Sequence, residues 1–394
     1  MKVRSQPDGG RNSMHSEWND RKILIAFLAW RGWLFLIAAV SLALIAIYAP
    51  DVPRQYLNNA TPSPLTIWTR MDSATYLGIA QEGYHAKGHY AGFFPLYPLL
   101  IRWLAIPLGG NVVLSSLVIS HVALFFSLLY LYRLVRLDFG EKIAQRSIVY
   151  LLLFPTSIFL VSAYTEALFL CLSILSFYFA RTGRWGRCGV FGFFAALTRF
   201  SGILLFLPFL YEYLAQKDFQ LKRLRADLFL LLLIPAGIAS FFYFLLREFH
   251  SFTKYFEMQE VFYTRNWTFT APIESVREMI VALTRSVVAQ NQYVLAAELV
   301  IFVVFFVLIF FVFRTQPRSY ALYALLGILV PFFSGNVVGI YRYVLVLFPF
   351  FILFADWSRK SRPMAWSLGL VFGAFLILVV GIFVSGLPLV VKEV

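Results

Sequence analysis

The chain has 394 residues, of which 60% are hydrophobic, 19% aromatic and only 14% charged, with a formal net charge of +14. That balance excludes a soluble globular domain. The basic residues punctuate apolar runs instead of clustering on one polar face, which excludes a nucleic-acid partner as well and leaves an all-α polytopic membrane protein with lipid as its solvent.

Residues 1–22 are polar and hold Lys2, Arg4, Arg11, Arg21 and Lys22, the pattern of a cytoplasmic tail. The apolar run at 27–49 lacks a small-residue cleavage site and reads as a retained span. Arg31 would snorkel back to the inner surface, and Asp51 onward would lie outside. Further apolar runs at 111–134, 146–163, 166–181, 187–198, 201–215, 225–247, 291–314, 319–333, 338–356 and 364–388 predict about eleven spans with the C-terminus outside. The four between 146 and 215 are shorter than the roughly 20 residues a lipid-facing span needs. Their ends therefore call for cover from protein or from a water-filled cavity open to the outside.

Most Lys and Arg fall in the segments this zigzag places inside. The same inner helix ends show no buried acid or paired charge. Three parts follow: the tail 1–22, a module 23–215 containing a first outer loop at 50–110, and a second module 216–394. The second module has an outer loop at 248–290 whose Tyr255, Phe262, Tyr263, Trp267 and Phe269 would sit among headgroups or cover the cavity. No internal repeat is evident. Cys171 and Cys188 stand in apolar surroundings and read as buried thiols.

The first polar stretch after the first span, 68–100, carries Asp72 at the start of a run with helical spacing. Asp72 is either a helix N-cap or a reactive carboxylate, and the two roles are compatible at a cavity mouth. Glu166, in Ser162-Ala163-Tyr164-Thr165-Glu166, is either a favourable first-turn acid or a group facing an aqueous site at membrane depth. Arg199 and Arg342 depart from the inside bias and either snorkel to outer headgroups or bind a phosphate. Phe93-Phe94-Pro95 reads as an interfacial belt with a proline turn and a wall for a site. His85 and His89 flank Lys87-Gly88, which spoils a metal-binding pair. Asn59-Ala60-Thr61 and Asn266-Trp267-Thr268 match the glycosylation sequon.

Three of these stretches together resemble the PIG-V family of mannosyltransferases. The match is carried by Asp72, Tyr76, Ile79-Ala80, Gly83-Tyr84 and Phe93-Phe94-Pro95, by Ala163-Tyr164-Thr165-Glu166-Ala167-Leu168-Phe169, and by Thr198-Arg199. It covers roughly residues 68–205, with Tyr341-Arg342-Tyr343 as a weaker addition. Met71 stands where the family usually has Trp, and Phe200-Ser201 where it has Ser-Asn.

The resemblance implies a GT-C fold and a glycosyltransferase using a polyprenyl-phosphate sugar donor, with a lipid or glycan hydroxyl as acceptor and the catalytic Asp in the first outer loop. On that basis Asp72 is the expected general base, and Arg199 and Arg342 the donor-phosphate contacts. Glu166, Tyr164, Tyr76, Phe94 and Tyr343 are the expected sugar or acceptor contacts. No cofactor is expected, and a divalent ion held between Asp72, Glu166 and the donor phosphate ranks below a metal-free site. The expected location is a bacterial plasma membrane with the site facing outside, or else an ER membrane with a lumenal site. A flippase for a lipid-linked sugar is the alternative function.

Overall fold

The computed structural model describes residues 18–48, 63–263, 265, 273, 277, 280, 281, 289–335 and 337–386. Asp51, both sequons, Trp267 and Phe269 lie outside them. Every regular element among the described residues is helical. In chain order these are α1 (Asp20–Tyr48), α2 (Asp72–Glu82), α3 (Leu96–Ala105), α4 (Val112–Phe139), α5 (Glu141–Leu153), α6 (Glu166–Arg181), α7 (Trp185–Ala196) and α8 (Phe206–Gln216). They continue as α9 (Leu233–Phe249), α10 (Lys254–Tyr263), α11 (Ala289–Thr315), α12 (Arg318–Phe333), α13 (Ile340–Leu345), α14 (Pro349–Lys360) and α15 (Arg362–Ser385).

Five helices among the described residues are long and apolar enough to cross a bilayer: Asp20–Tyr48, Val112–Phe139, Ala226–Phe249, Val294–Thr315 and Arg362–Ser385. The chain is thus an integral, multi-pass protein, but the expectation of about eleven spans is corrected to five candidate spans among the described residues. The remaining apolar runs form short helices. At about 1.5 Å per residue, α6 with its 16 residues reaches roughly 24 Å, short of a hydrocarbon core of about 30 Å. The run at 146–163 splits into the end of α5 and a 3-10 turn at Ser157–Leu160. The run at 338–356 breaks into α13 and α14, with Pro349 starting the second helix. Hydropathy registers apolarity without registering what covers it, and α6 is apolar because it is buried by protein.

α6 is flanked by α4 on one side and α7 on the other, and α7 in turn packs on α9. Glycine sets that last approach. A Cβ on Gly237 of α9 would stand 2.5 Å from the Phe193 carbonyl oxygen of α7, and one on Gly189 of α7 2.2 Å from that of Leu230 in the 3-10 turn Ala226–Leu232 that leads into α9. Cys171 and Cys188 are buried free thiols, as their apolar setting leads one to expect.

Each end of α6 carries a group of paired charges. At its start lies Glu166, in the candidate site. At its end Arg181 Nη2 lies 2.5 Å from Asp138 Oδ1 and Nη1 lies 2.7 Å from Glu212 Oε1. Ser319 Oγ donates to Glu212 at 2.7 Å and Tyr320 Oη to Asp138 at 2.5 Å. The expectation that this end holds no buried acid or paired charge is therefore wrong.

Candidate active site

Asp72 is the first residue of α2, not its cap. The cap position falls to Met71, whose φ of 48° and ψ of −117° put a side-chain-bearing residue where glycine is usual. Such strain persists only where neighbours enforce it. Here they do: the Trp68 carbonyl accepts from Ala163 N–H at 3.1 Å, and the Arg70 carbonyl accepts from Tyr164 Oη at 2.7 Å. Arg70 also donates through Nη1 to the carbonyl of Phe383 at 2.8 Å, satisfying an orphan acceptor at the end of α15. The loop before Asp72 is thereby tied edge to edge to the turn before Glu166.

The two acids meet at one guanidinium. Arg342, on α13, lies with Nη1 2.6 Å from Asp72 Oδ2 and Nε 2.5 Å from Glu166 Oε1. Arg199 Nη1 is 2.8 Å from the same Glu166 oxygen, within ion-pair distance but not aligned as a hydrogen bond. The side chain of Glu166 is 0% exposed, Arg199 13%, Arg342 17% and Asp72 24%. Asp72 is therefore the carboxylate of the group that solvent reaches. Neither acid caps its helix. Glu166 instead clamps Arg199 and Arg342, and neither arginine snorkels. Burial opposes the charge on Glu166, but Arg342 and Arg199 outweigh it and hold its carboxyl below the ordinary value.

A third arginine closes the group. Arg265 donates through Nη1 to Tyr343 Oη at 2.6 Å and through Nη2 to the Val338 carbonyl at 3.1 Å. The guanidiniums of Arg199 and Arg265 lie 5.3 and 5.6 Å from the Tyr343 ring centroid. Burial works to raise the Tyr343 phenol, yet Arg265 and Arg199 bring it below its usual value. Arg342 and Arg199 thus face the carboxylates of Asp72 and Glu166, with Arg265 beside them on Tyr343, guanidiniums of the kind that suit an anionic ligand.

Residues 24–267 match the family model described as mannosyltransferase (PIG-V). The chain belongs to this family. It is 28% identical over 202 residues to GPI mannosyltransferase 2 of Yarrowia lipolytica, a match covering 48% of the chain and 51% of that relative. The chain thus spans about half the length of the curated relative it matches. Its fold is similar to a crystal structure of ArnT from Cupriavidus metallidurans bound to undecaprenyl phosphate, with a TM-score of 0.53 and 15% identity over 88% of this chain and 62% of that one. The apo ArnT structure gives a TM-score of 0.50, 16% identity and coverage of 87% and 62%. These likenesses establish a GT-C-like fold.

Asp72, Glu166, Arg199 and Arg265 lie inside the stretch that matches the PIG-V model, while Arg342 and Tyr343 lie beyond it and reach the group only through folding. Tyr164 is fully buried, with the Arg342 guanidinium 4.7 Å from its ring centroid. Tyr76 is buried edge-on against Phe93 and Tyr97, and burial together with the Asp72 carboxylate raises its phenol above the usual value. Phe94 packs against Phe241 and Tyr255, centroids 4.6 and 5.3 Å away, in the aromatic wall beside the group. His85 pairs with Glu248, and His89 lies against Tyr90 and Phe262. A cation placed between Asp72 and Glu166 would have to displace the Arg342 guanidinium. Below Tyr343 and Ser201 is a void of about 10 Å³, room for a single water.

The sequence reading missed Arg265 and Arg70. Arg265 carried the signal that singled out Arg199, a basic residue in a segment placed outside. The stacked order of loop 68–72 on 162–166 had no such signal.

Proposed function

We propose that the chain is a membrane-embedded, inverting glycosyltransferase. It moves a sugar, mannose by its family, from a polyprenyl phosphate to a hydroxyl of a lipid-linked or glycan acceptor. The observation that carries this reading is the single solvent-reached carboxylate, Asp72, beside the guanidiniums of Arg342 and Arg199. The acceptor oxygen attacks the anomeric carbon as the bond from that carbon to the phosphate oxygen breaks. The hydroxyl proton passes to Asp72 and the polyprenyl phosphate leaves as an anion facing Arg199 and Arg342. One base suffices because this leaving group needs no proton, unlike the alkoxide of a glycosidase. Inversion follows from a single displacement.

Glu166, fully buried and turned to two arginines, holds the phosphate-binding guanidiniums in place. Tyr343, Tyr76 and the Phe94 wall are left to border sugar or acceptor, with Tyr164 supporting Arg342. The undecaprenyl phosphate in the ArnT structure supports a lipid phosphate as the donor's leaving half. A non-cytoplasmic site in a bacterial plasma membrane fits the charge pattern, with an ER lumenal site as the alternative.

The test is transfer by the purified chain in lipid nanodiscs, given polyprenyl-phosphate mannose and a membrane glycolipid extract, with products read by mass spectrometry. Asp72→Asn is expected to lose transfer by about 100-fold or more while still binding the donor. Transfer by this variant at close to the wild-type rate would refute the base assignment. The flippase reading draws support from one observation, the buried Asp138–Arg181–Glu212 group at the far end of α6. Donor crossing proteoliposomes without sugar transfer would favour it.

A further inference from the structure

We infer that Arg31, on α1 and far from the reacting groups in sequence, is a positioning residue that sets the Asp72 loop through Trp68. The inference rests on the glycosyltransferase reading above and deepens it.

Asp20 pairs with Arg133 at 3.0 Å, and Arg31 Nε donates to His121 Nε2 at 2.8 Å. The two contacts make α1 and α4 antiparallel. At about 1.5 Å per residue, Arg31 then lies roughly 6 Å along α1 from Phe27, where the apolar run begins. The sequence reading had this side chain snorkelling to the surface, but it is only 7% exposed. Among the described residues no carboxylate stands within ion-pair distance of it, and its Nη1 has no hydrogen-bond partner.

What it meets instead is aromatic. Its guanidinium carbon lies 3.9 Å from the Trp68 ring centroid and 4.0 Å from that of Phe35. The two rings stand edge to face, 5.3 Å apart. His121 fixes the cation from the side. Its Nδ1 lies 2.6 Å from the Leu117 carbonyl and so carries the proton, leaving Nε2 to accept from Arg31.

Trp68 is fully buried and leads directly into Thr69-Arg70-Met71-Asp72. Its indole N–H donates to the Pro64 carbonyl at 2.9 Å, and its own carbonyl accepts from Ala163. A shift of this ring therefore moves the strained Met71 and the carboxylate after it. A leucine or methionine at position 31 would fill such a space without burying a charge, and buried charges are often replaced by apolar residues with no loss of stability. What the cation adds is a directional hold on the indole face.

Arg31→Met, Arg31→Lys, Trp68→Phe and Trp68→Leu are compared in nanodiscs with polyprenyl-phosphate mannose as donor, wild type and Asp72→Asn serving as references. Arg31→Met is expected to stay folded and to lose kcat by tenfold or more, with a donor KM that changes far less because Arg199 and Arg342 are untouched. Arg31→Lys, which keeps a cation over the indole, restores most of kcat. Trp68→Phe, which loses the indole N–H but keeps an aromatic face for the cation, retains most of kcat, whereas Trp68→Leu behaves like Arg31→Met, so this pair decides the matter if Arg31→Met fails to fold. Wild-type kcat per folded Arg31→Met, or equal kcat in Trp68→Phe and Trp68→Leu, overturns the inference. A wild-type chain that transfers no sugar, alongside an equally inactive Asp72→Asn, overturns the glycosyltransferase reading instead.

Discussion

Arg342 Nη1 lies 2.6 Å from Asp72 Oδ2 across a sequence separation of 270 residues. The carboxylate proposed as base is therefore held by the cation proposed to receive the donor phosphate. A phosphate that engages Arg342 competes with Asp72 for the same N–H groups and frees the carboxylate as it binds. On the proposed roles, donor binding and readiness of the base are linked in one side chain.

Arg342→Lys keeps the charge but replaces a planar fork with a point donor that cannot hold Asp72 and Glu166 together. The donor KM should rise by about an order of magnitude, with a modest fall in thermal stability. Arg342→Gln leaves Glu166 facing one arginine fewer, and loss of a buried partner costs about 3–5 kcal/mol. Thermal denaturation in nanodiscs should rank wild type above Lys and Lys above Gln. A Gln variant as stable as wild type would show that the ion pair is not maintained.

Glu166 gives a pH dependence with a definite sign. Its folded-state value is depressed, so the native state binds fewer protons than the unfolded state in the interval between the two values. The stabilisation is complete above the unfolded carboxylate value and is lost as pH falls through the folded one. Glu166→Gln should melt lower than wild type near neutrality. The two melting curves should keep their separation above about pH 5.5 and converge on acidification from about pH 5 to about pH 3. Parallel curves across that range would contradict the shift.

The four charged residues of the central group were legible in the sequence: Glu166, Arg199 and Arg342 stand out against apolar surroundings where charge is costly, and Asp72 opens a helical run in the first polar stretch. Their partners were not. For Asp72 and Glu166 a capping role stayed open beside a site role because a cap and a clamped acid share the same position at a helix start, and only Arg342, from the other half of the chain, separates them. The number of spans was misread for a different reason: α6 is as apolar as a lipid-facing helix but faces protein. The pairing of Asp138, Arg181 and Glu212 was not legible because it joins positions 43 and 31 apart.

Gly202 gives a packing test of the Arg199 turn. Its N–H donates to the Arg199 carbonyl at 2.9 Å, and a Cβ there would stand 2.4 Å from the Ala195 carbonyl oxygen and 2.5 Å from Ala196 Cα. Both neighbours are backbone and cannot rotate away. Gly202→Ala should therefore displace the turn that presents Arg199, costing about 1–3 kcal/mol in stability and weakening donor binding. A variant with wild-type melting and donor KM would show that the turn tolerates the shift.

The far end of α6 separates transfer from transport. Glu212 there accepts from Arg181 at 2.7 Å and Ser319 at 2.7 Å, about 22 Å along the helix from Glu166. In a glycosyltransferase this group fastens α6, α8 and α12 together and touches neither donor nor acceptor. Glu212→Gln keeps the shape and one acceptor oxygen but leaves Arg181 with Asp138 alone. Lower thermal stability with unchanged kcat per folded molecule is the expected result in the nanodisc transfer assay. A transporter would respond differently, because a buried charge pair at the end opposite the substrate group is where a closed gate would have to part. Faster donor movement across proteoliposomes in Glu212→Gln, with sugar transfer absent in both forms, would assign the group to gating and displace the transferase reading.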